Sequence, residues 1–85
     1  MTLHDLHLRA QPHAVARRRT FKSIFEEVGV RHSTVWRAMN GKSTMRPETA
    51  LRLLGLVRQL VVSGEPVVLL VDGREFRDRA AFSAS

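Results

Sequence analysis

The 85-residue chain contains no cysteine, so neither a disulfide nor a thiolate metal site can staple it, and the composition fits a reducing compartment. It has no run of 18 apolar residues, which leaves no candidate for a membrane-spanning helix. Met1 is not followed by a charged and then apolar leader, so no signal peptide is expected and the expected location is cytoplasmic. No nucleophile–base–orienter set and no glycine-rich phosphate loop after a strand is visible, so neither an enzyme nor a cofactor is expected. His4, His7 and Asp5 supply only two imidazoles with no third cluster to complete a metal site. A domain of this length buries only about 60–65% of its unfolded surface, and with no staple available the expected extra source of stability is oligomerisation.

Acidic residues are also scarce. Eight Asp and Glu stand against fourteen Lys and Arg, giving a net charge of +6 and a pI near 11.5. Residues 1–61 hold eleven cations against four acids, a net of +7, whereas residues 62–85 hold three against four, a net of −1. The positive charge belongs to the part read as helical. It points to a polyanionic partner, with a merely solvated cationic surface as the alternative.

Residues 1–13 fit neither a clean helical stripe nor strict alternation at Leu3, Leu6 and Leu8, and Pro12 is expected to break whatever precedes it. Arg17, Arg18 and Arg19 read either as a basic arm lying on phosphates or as a solvated helix start. Thr20 is a good N-cap for a helix over residues 21–28, whose Phe21, Ile24, Phe25 and Val28 share one face. Gly29 ends that helix, because glycine tolerates the left-handed backbone of an abrupt stop. A second helix is expected over residues 32–39, closed by Asn40 and Gly41. After a polar loop, Pro47 and Glu48 open a third helix with a wide apolar face at Ala50, Leu51, Leu53, Leu54, Val57, Leu60 and Val61. Val67, Val68, Leu69, Leu70 and Val71, then Asp72-Gly73, then Arg74, Glu75 and Phe76 read as a β-hairpin with a two-residue turn. An isolated hairpin is marginal. Val67, Val68, Leu69, Leu70, Val71 and Phe76 are therefore expected to form a two-fold homodimer interface, the alternative being packing within the monomer against residues 2–8.

A short helix, a glycine turn and a second helix with polar outward positions is the geometry that braces one helix across a DNA backbone. The residues Thr20-Phe21, Ile24, Glu26, Gly29-Val30, Ser33-Thr34-Val35, Arg37, Asn40-Gly41 and Pro47-Glu48-Thr49 resemble the DNA-binding headpiece of the lac-repressor family. With Gly41-Lys42 and Thr49-Ala50-Leu51-Arg52-Leu53 they are equally similar to the phage repressor and Cro superfamily. The resemblance covers residues 20–60. The chain has no room for the sugar-sensing domain of lac-type repressors, so it implies a Cro-like stand-alone regulator, or a module of a larger one. Three departures stand out. Phe25 replaces the usual small residue at the helix crossing, and Arg31 and Arg46 replace serine caps. Arginine has no acceptor for a cap bond, so those helices are expected to start later, with Ser33 or Thr44 taking part of the capping.

Roles follow from chemistry and from the matched positions. Arg37 is the best single candidate for base reading, since a guanidinium bonds guanine O6 and N7 together. The resemblance places His32 and Ser33 at base edges. Trp36 either contacts thymine methyls and sugar or belongs to the core. Arg17, Arg18, Arg19, Thr20, Thr34, Asn40, Lys42 and Arg46 are the expected phosphate contacts. The expected fold is mainly α, a helix-turn-helix bundle with a C-terminal β-hairpin. Its parts are an N-terminal segment or basic arm (1–19), a DNA-binding core (20–62), a dimerisation hairpin (63–79) and a loose tail (80–85). The expected function is a homodimeric, nucleoid-associated regulator of double-stranded DNA, a repressor. The alternatives are an antitoxin-like protein whose C-terminal part covers a protein partner, and an architectural or RNA-binding protein without sequence preference.

Overall fold

Leucine and alanine at positions 3, 6, 10 and 14 recur at helical spacing, and a computed structural model, which describes residues 1–77, turns all four into the interior of a first helix. This helix, α1 (Leu3–Ala16), is followed by α2 (Phe21–Glu27), α3 (His32–Met39) and α4 (Pro47–Leu60). Strands β1 (Val68–Val71) and β2 (Arg74–Arg77) then form an antiparallel hairpin. The fold is thus mainly helical with a small C-terminal hairpin. The expected tail at residues 80–85, and residues 78–79 of the expected hairpin segment, lie outside the described residues.

The first helix corrects the reading of residues 1–19 as a separate arm. Thr2 and Asp5 open it with a reciprocal capping box: Asp5 N–H donates to Thr2 Oγ1 and Thr2 N–H to Asp5 Oδ2, each at 3.2 Å. The bond from the Thr2 amide, more than any nearby charge, holds the Asp5 carboxyl below its ordinary pKa. Pro12 does not break the helix. Its missing N–H orphans the carbonyl of Leu8, but Pro12 and Leu8 are both exposed, so water can serve that acceptor. The helix ends at Arg17, with Arg18 left-handed at φ 54 and Arg19 N–H reaching back to the Ala14 carbonyl at 2.9 Å. This is the 6→1 closure that glycine usually supplies.

Thr20 caps α2 as expected, its hydroxyl oxygen accepting from Ser23 N–H. At the other end Gly29, at φ 77, lets Val30 N–H bond the Phe25 carbonyl at 3.1 Å. The same closure ends α3, where Gly41 has φ 68 and Lys42 N–H bonds the Arg37 carbonyl at 2.8 Å. Arg31 and Arg46 sit at the N-caps of α3 and α4 without any side-chain cap bond. Contrary to expectation, these helices do not start later, and neither Ser33 nor Thr44 takes over the capping. Packing of the apolar rows outweighs a missing cap, which costs only about 1 kcal/mol.

Helix α4 carries the centre of the core through Ala50, Leu53, Leu54, Leu56 and Val57. Leu51, expected on its apolar face, is half exposed. Phe25 is the largest fully buried side chain, so the bulk at the expected helix crossing is absorbed inside.

The hairpin corrects the expected interface. Its register pairs Leu69 with Phe76 and Val71 with Arg74, around a turn in which Asp72 and Gly73 both have positive φ. Leu69 and Val71 are buried in the chain's own core, and Val67 and Phe76 pack against it. Leu70 is the most exposed apolar side chain of β1. The second edge of β1 is taken by the N-terminus: the Met1 ammonium donates to the Val68 carbonyl at 2.6 Å, and Leu70 N–H donates to the Met1 carbonyl at 2.8 Å. A second copy cannot pair along Val67, Val68, Leu69, Leu70 and Val71 without displacing this segment. The alternative of packing against the N-terminal residues is the arrangement found.

Arg9 ties α1 to the segment before the hairpin through a two-pronged pair with Glu65, at 2.6 and 2.9 Å. The Arg9 bond first, and then the Val62 N–H, lower the Glu65 pKa from 4.5 to about 2. A depressed carboxyl contributes stability that is present above about pH 4.5 and is lost as pH falls toward 2. In denaturant titrations the stability gap between wild type and Glu65→Gln should be constant above that window and narrow through it. A gap independent of pH would show that the clamp does not stabilise the fold. A second prediction concerns Pro12: Pro12→Ala restores the missing helix bond and should raise the unfolding free energy by about 1–3 kcal/mol. No change would mean that the helix already bends to relieve the proline.

Candidate functional site

Helix α3 divides its side chains between two sides. Val35 and Ala38 are buried, and Met39 packs against them. Ser33, Trp36, Arg37 and Asn40 are exposed, at the i, i+3, i+4, i+7 spacing of a single outward row. Trp36 keeps 48% of its surface accessible, which resolves its two readings in favour of the outward one. Thr34 lies at the margin, half-buried. The Asn40 amide donates to the Trp36 carbonyl at 2.8 Å, anchoring the end of the row.

His32 leaves the expected base-reading set. Its ring lies edge-on to Phe21 at 4.9 Å between centroids, 5.7 Å from Phe25 and 6.1 Å from His7. Its Nε2 is buried without a hydrogen-bond partner. The spacing holds the reason: His32 precedes Val35 by three residues and Met39 by seven, on the inner side of the helix. Beside it, burial first, and then the charges of His32 and His4, lower the pKa of His7. The shift favours the neutral form of the His7 ring. Among the described residues no group of three His, Cys, Asp or Glu could hold a metal.

The expected phosphate contacts separate into two groups. Arg17 bonds Gln59 at 2.8 Å and lies 3.9 Å from Glu27, and Arg19 pairs with Glu27. Thr20 is engaged as a cap. These three are committed to the junction of α1, α2 and α4. The structure does not bring them together with α3, and the triple-arginine run is a helix end rather than an arm. Arg18 is exposed at its left-handed turn. Lys42 and Arg46, by contrast, follow α3 directly, are exposed, and have no ion pair among the described residues, as is also true of Arg37.

Arg31 was missing from the expected set. It is exposed and immediately precedes α3. One signal in the sequence marks it. From residue 28 to residue 47 there is no carboxylate, yet the stretch carries Arg31, Arg37, Lys42 and Arg46. Several cations elsewhere do have carboxylate partners: Arg9 with Glu65, Arg19 with Glu27, Lys22 with Glu26, and Arg77 with Glu75. Arg31, Arg37, Lys42 and Arg46 thus make α3 and its two flanks an acid-free basic stretch, a charge arrangement that attracts polyanions.

If the His32 ring serves only packing, His32→Phe should leave the unfolding free energy unchanged or raise it by about 1 kcal/mol, since an unsatisfied buried nitrogen is removed. A loss of more than about 1 kcal/mol would mean that Nε2 holds a water-bridged bond that matters. Comparison with protein-family models, with curated proteins and with solved structures finds no match.

Proposed function

We propose that α2, the turn at Gly29 and α3 act as a helix-turn-helix unit, and that the protein is a sequence-specific regulator of double-stranded DNA, a repressor working as a homodimer. The observation that carries this reading is the outward row of α3. It is polar and aromatic, it bears an arginine with no internal partner, and it lies within twenty residues that contain four cations and no acid. A major groove accepts a helix and presents donor and acceptor patterns at base edges.

In this reading Arg37 bonds the O6 and N7 of a guanine, Ser33 reaches a neighbouring edge, and Trp36 lies against a thymine methyl or a sugar. Asn40, Lys42, Arg46 and Arg31 bond phosphates, which sets the register without reading sequence. Thr34, at the margin of the helix, is a further phosphate contact. Two copies on a two-fold site present their α3 helices to successive major grooves about 34–36 Å apart. The surface joining the copies lies elsewhere than the second edge of β1, which the N-terminus occupies. Release of condensed cations supplies much of the affinity, so log K falls by about 0.9 per log unit of salt for each phosphate neutralised.

The test starts from a duplex selected out of a random pool. Arg37→Ala should weaken binding to that duplex by about 1–3 kcal/mol, and binding to random duplex far less, in titrations at matched salt. Equal losses on both duplexes would take base reading away from Arg37.

A further inference from the structure

The hairpin is fastened at its tip as well as at its edge. The Asp72 carboxylate, in the turn, accepts a hydrogen bond from Met45 N–H at 3.1 Å, and Met45 itself is buried. This joins the turn to the loop between α3 and α4. Thr44, Met45, Arg46, Pro47, Asp72 and Arg74 together border an open depression of about 450 Å³. Arg46 and Arg74 are both exposed, and neither has an ion pair or side-chain hydrogen bond among the described residues. The one carboxylate in the lining is already engaged by the Met45 amide. Two guanidinium groups thus border one hollow against a single carboxylate, which leaves its lining net positive. Arg77, three residues along the same strand, differs in that Glu75 pairs with it.

From this geometry we infer that the depression is a phosphate subsite in which Arg46 and Arg74 together grip one backbone phosphate of the bound nucleic acid. The inference rests on the DNA-binding reading above and adds to it. The hairpin becomes a second, sequence-independent contact, held in place beside the end of α3 by the Asp72–Met45 bond. Guanidinium groups suit the role because their planar forks bond phosphate oxygens in pairs. An anion between the two arginines also removes their mutual repulsion, an effect that neither arginine alone would produce. A two-stranded hairpin is too marginal to hold such a site by itself. Here the core under Leu69 and Val71, the Met1 segment and the Met45 tether make it rigid.

The experiment measures binding of one labelled duplex by fluorescence anisotropy from roughly 50 to 200 mM salt, the range over which phosphate contacts are resolved. Wild type, Arg74→Gln, Arg74→Lys and Arg77→Gln are compared, with thermal unfolding confirming that each is folded. Arg74→Gln should reduce the slope of log K against log salt measurably, by no more than about 0.9 because Arg46 remains at the same phosphate, and equally on selected and random duplex. Arg74→Lys should retain the slope while binding more weakly. Arg77→Gln, with the same loss of formal charge on the same strand, should leave the slope as in wild type. An unchanged slope in Arg74→Gln, or an equal drop in Arg77→Gln, overturns the subsite. If that happens while Arg37→Ala still discriminates between duplexes, the DNA-binding reading survives and only the subsite is lost. A wild-type protein that binds no duplex removes both.

Discussion

The reversal at Gly29 is the constraint on which the arrangement of the molecule depends. A left-handed residue there lets Val30 turn back onto the end of α2 and enter the core. The start of α3 is thereby fixed with only four residues between it and the end of α2. Once Val35 and Ala38 are inside, helical geometry leaves Ser33, Trp36, Arg37 and Asn40 no choice but to point out. An L-residue at position 29 would strain this backbone by about 1–2 kcal/mol and so loosen the angle at which α3 leaves the core. The outward row is thus set by burial on the opposite side rather than by contacts of its own. That suits a surface whose partner lies outside the chain.

Much of this was legible in the residues. The apolar spacing of Phe21, Ile24 and Phe25, the cap at Thr20, the stop at Gly29 and the Pro47 start each match the element observed. So does the two-residue turn at Asp72 and Gly73. The first helix was not legible, for two physical reasons. A proline inside a helix normally ends it, and only the exposure of its ring and of Leu8 makes the orphaned carbonyl tolerable here. The helix also closes on a left-handed arginine where a glycine would have marked the stop. The hairpin was placed correctly but assigned the wrong neighbour, because the pattern 67–71 says that a side is apolar without saying what covers it. The first two residues of the chain supply the missing edge, and no local rule links them to residues 68 and 70.

At the site, sequence pattern separated the outward row from the inner one except at His32, where a polar residue type hid an inward position. The triple-arginine run misled for a similar reason, since the partner of Arg19 is Glu27, across a turn. The more informative charge signal was an absence, the carboxylate-free stretch around α3. Arg9, Arg17, Arg19 and Lys22, on or beside α1 and α2, have carboxylate neighbours, whereas Arg31, Arg37, Lys42 and Arg46 around α3 have none among the described residues. One composition therefore serves two purposes, and only the location of the eight acids tells them apart.

The central claim is that the outward row of α3 meets DNA. Trp36 tests it directly, because it is the chain's single tryptophan and sits in that row. Its emission can be followed together with its quenching by acrylamide while a selected duplex is added, and an end-labelled duplex reports binding independently. The account predicts that quenching of Trp36 by acrylamide falls in proportion to the fraction of protein bound. Full binding by the label with Trp36 as accessible as in the free protein would contradict it.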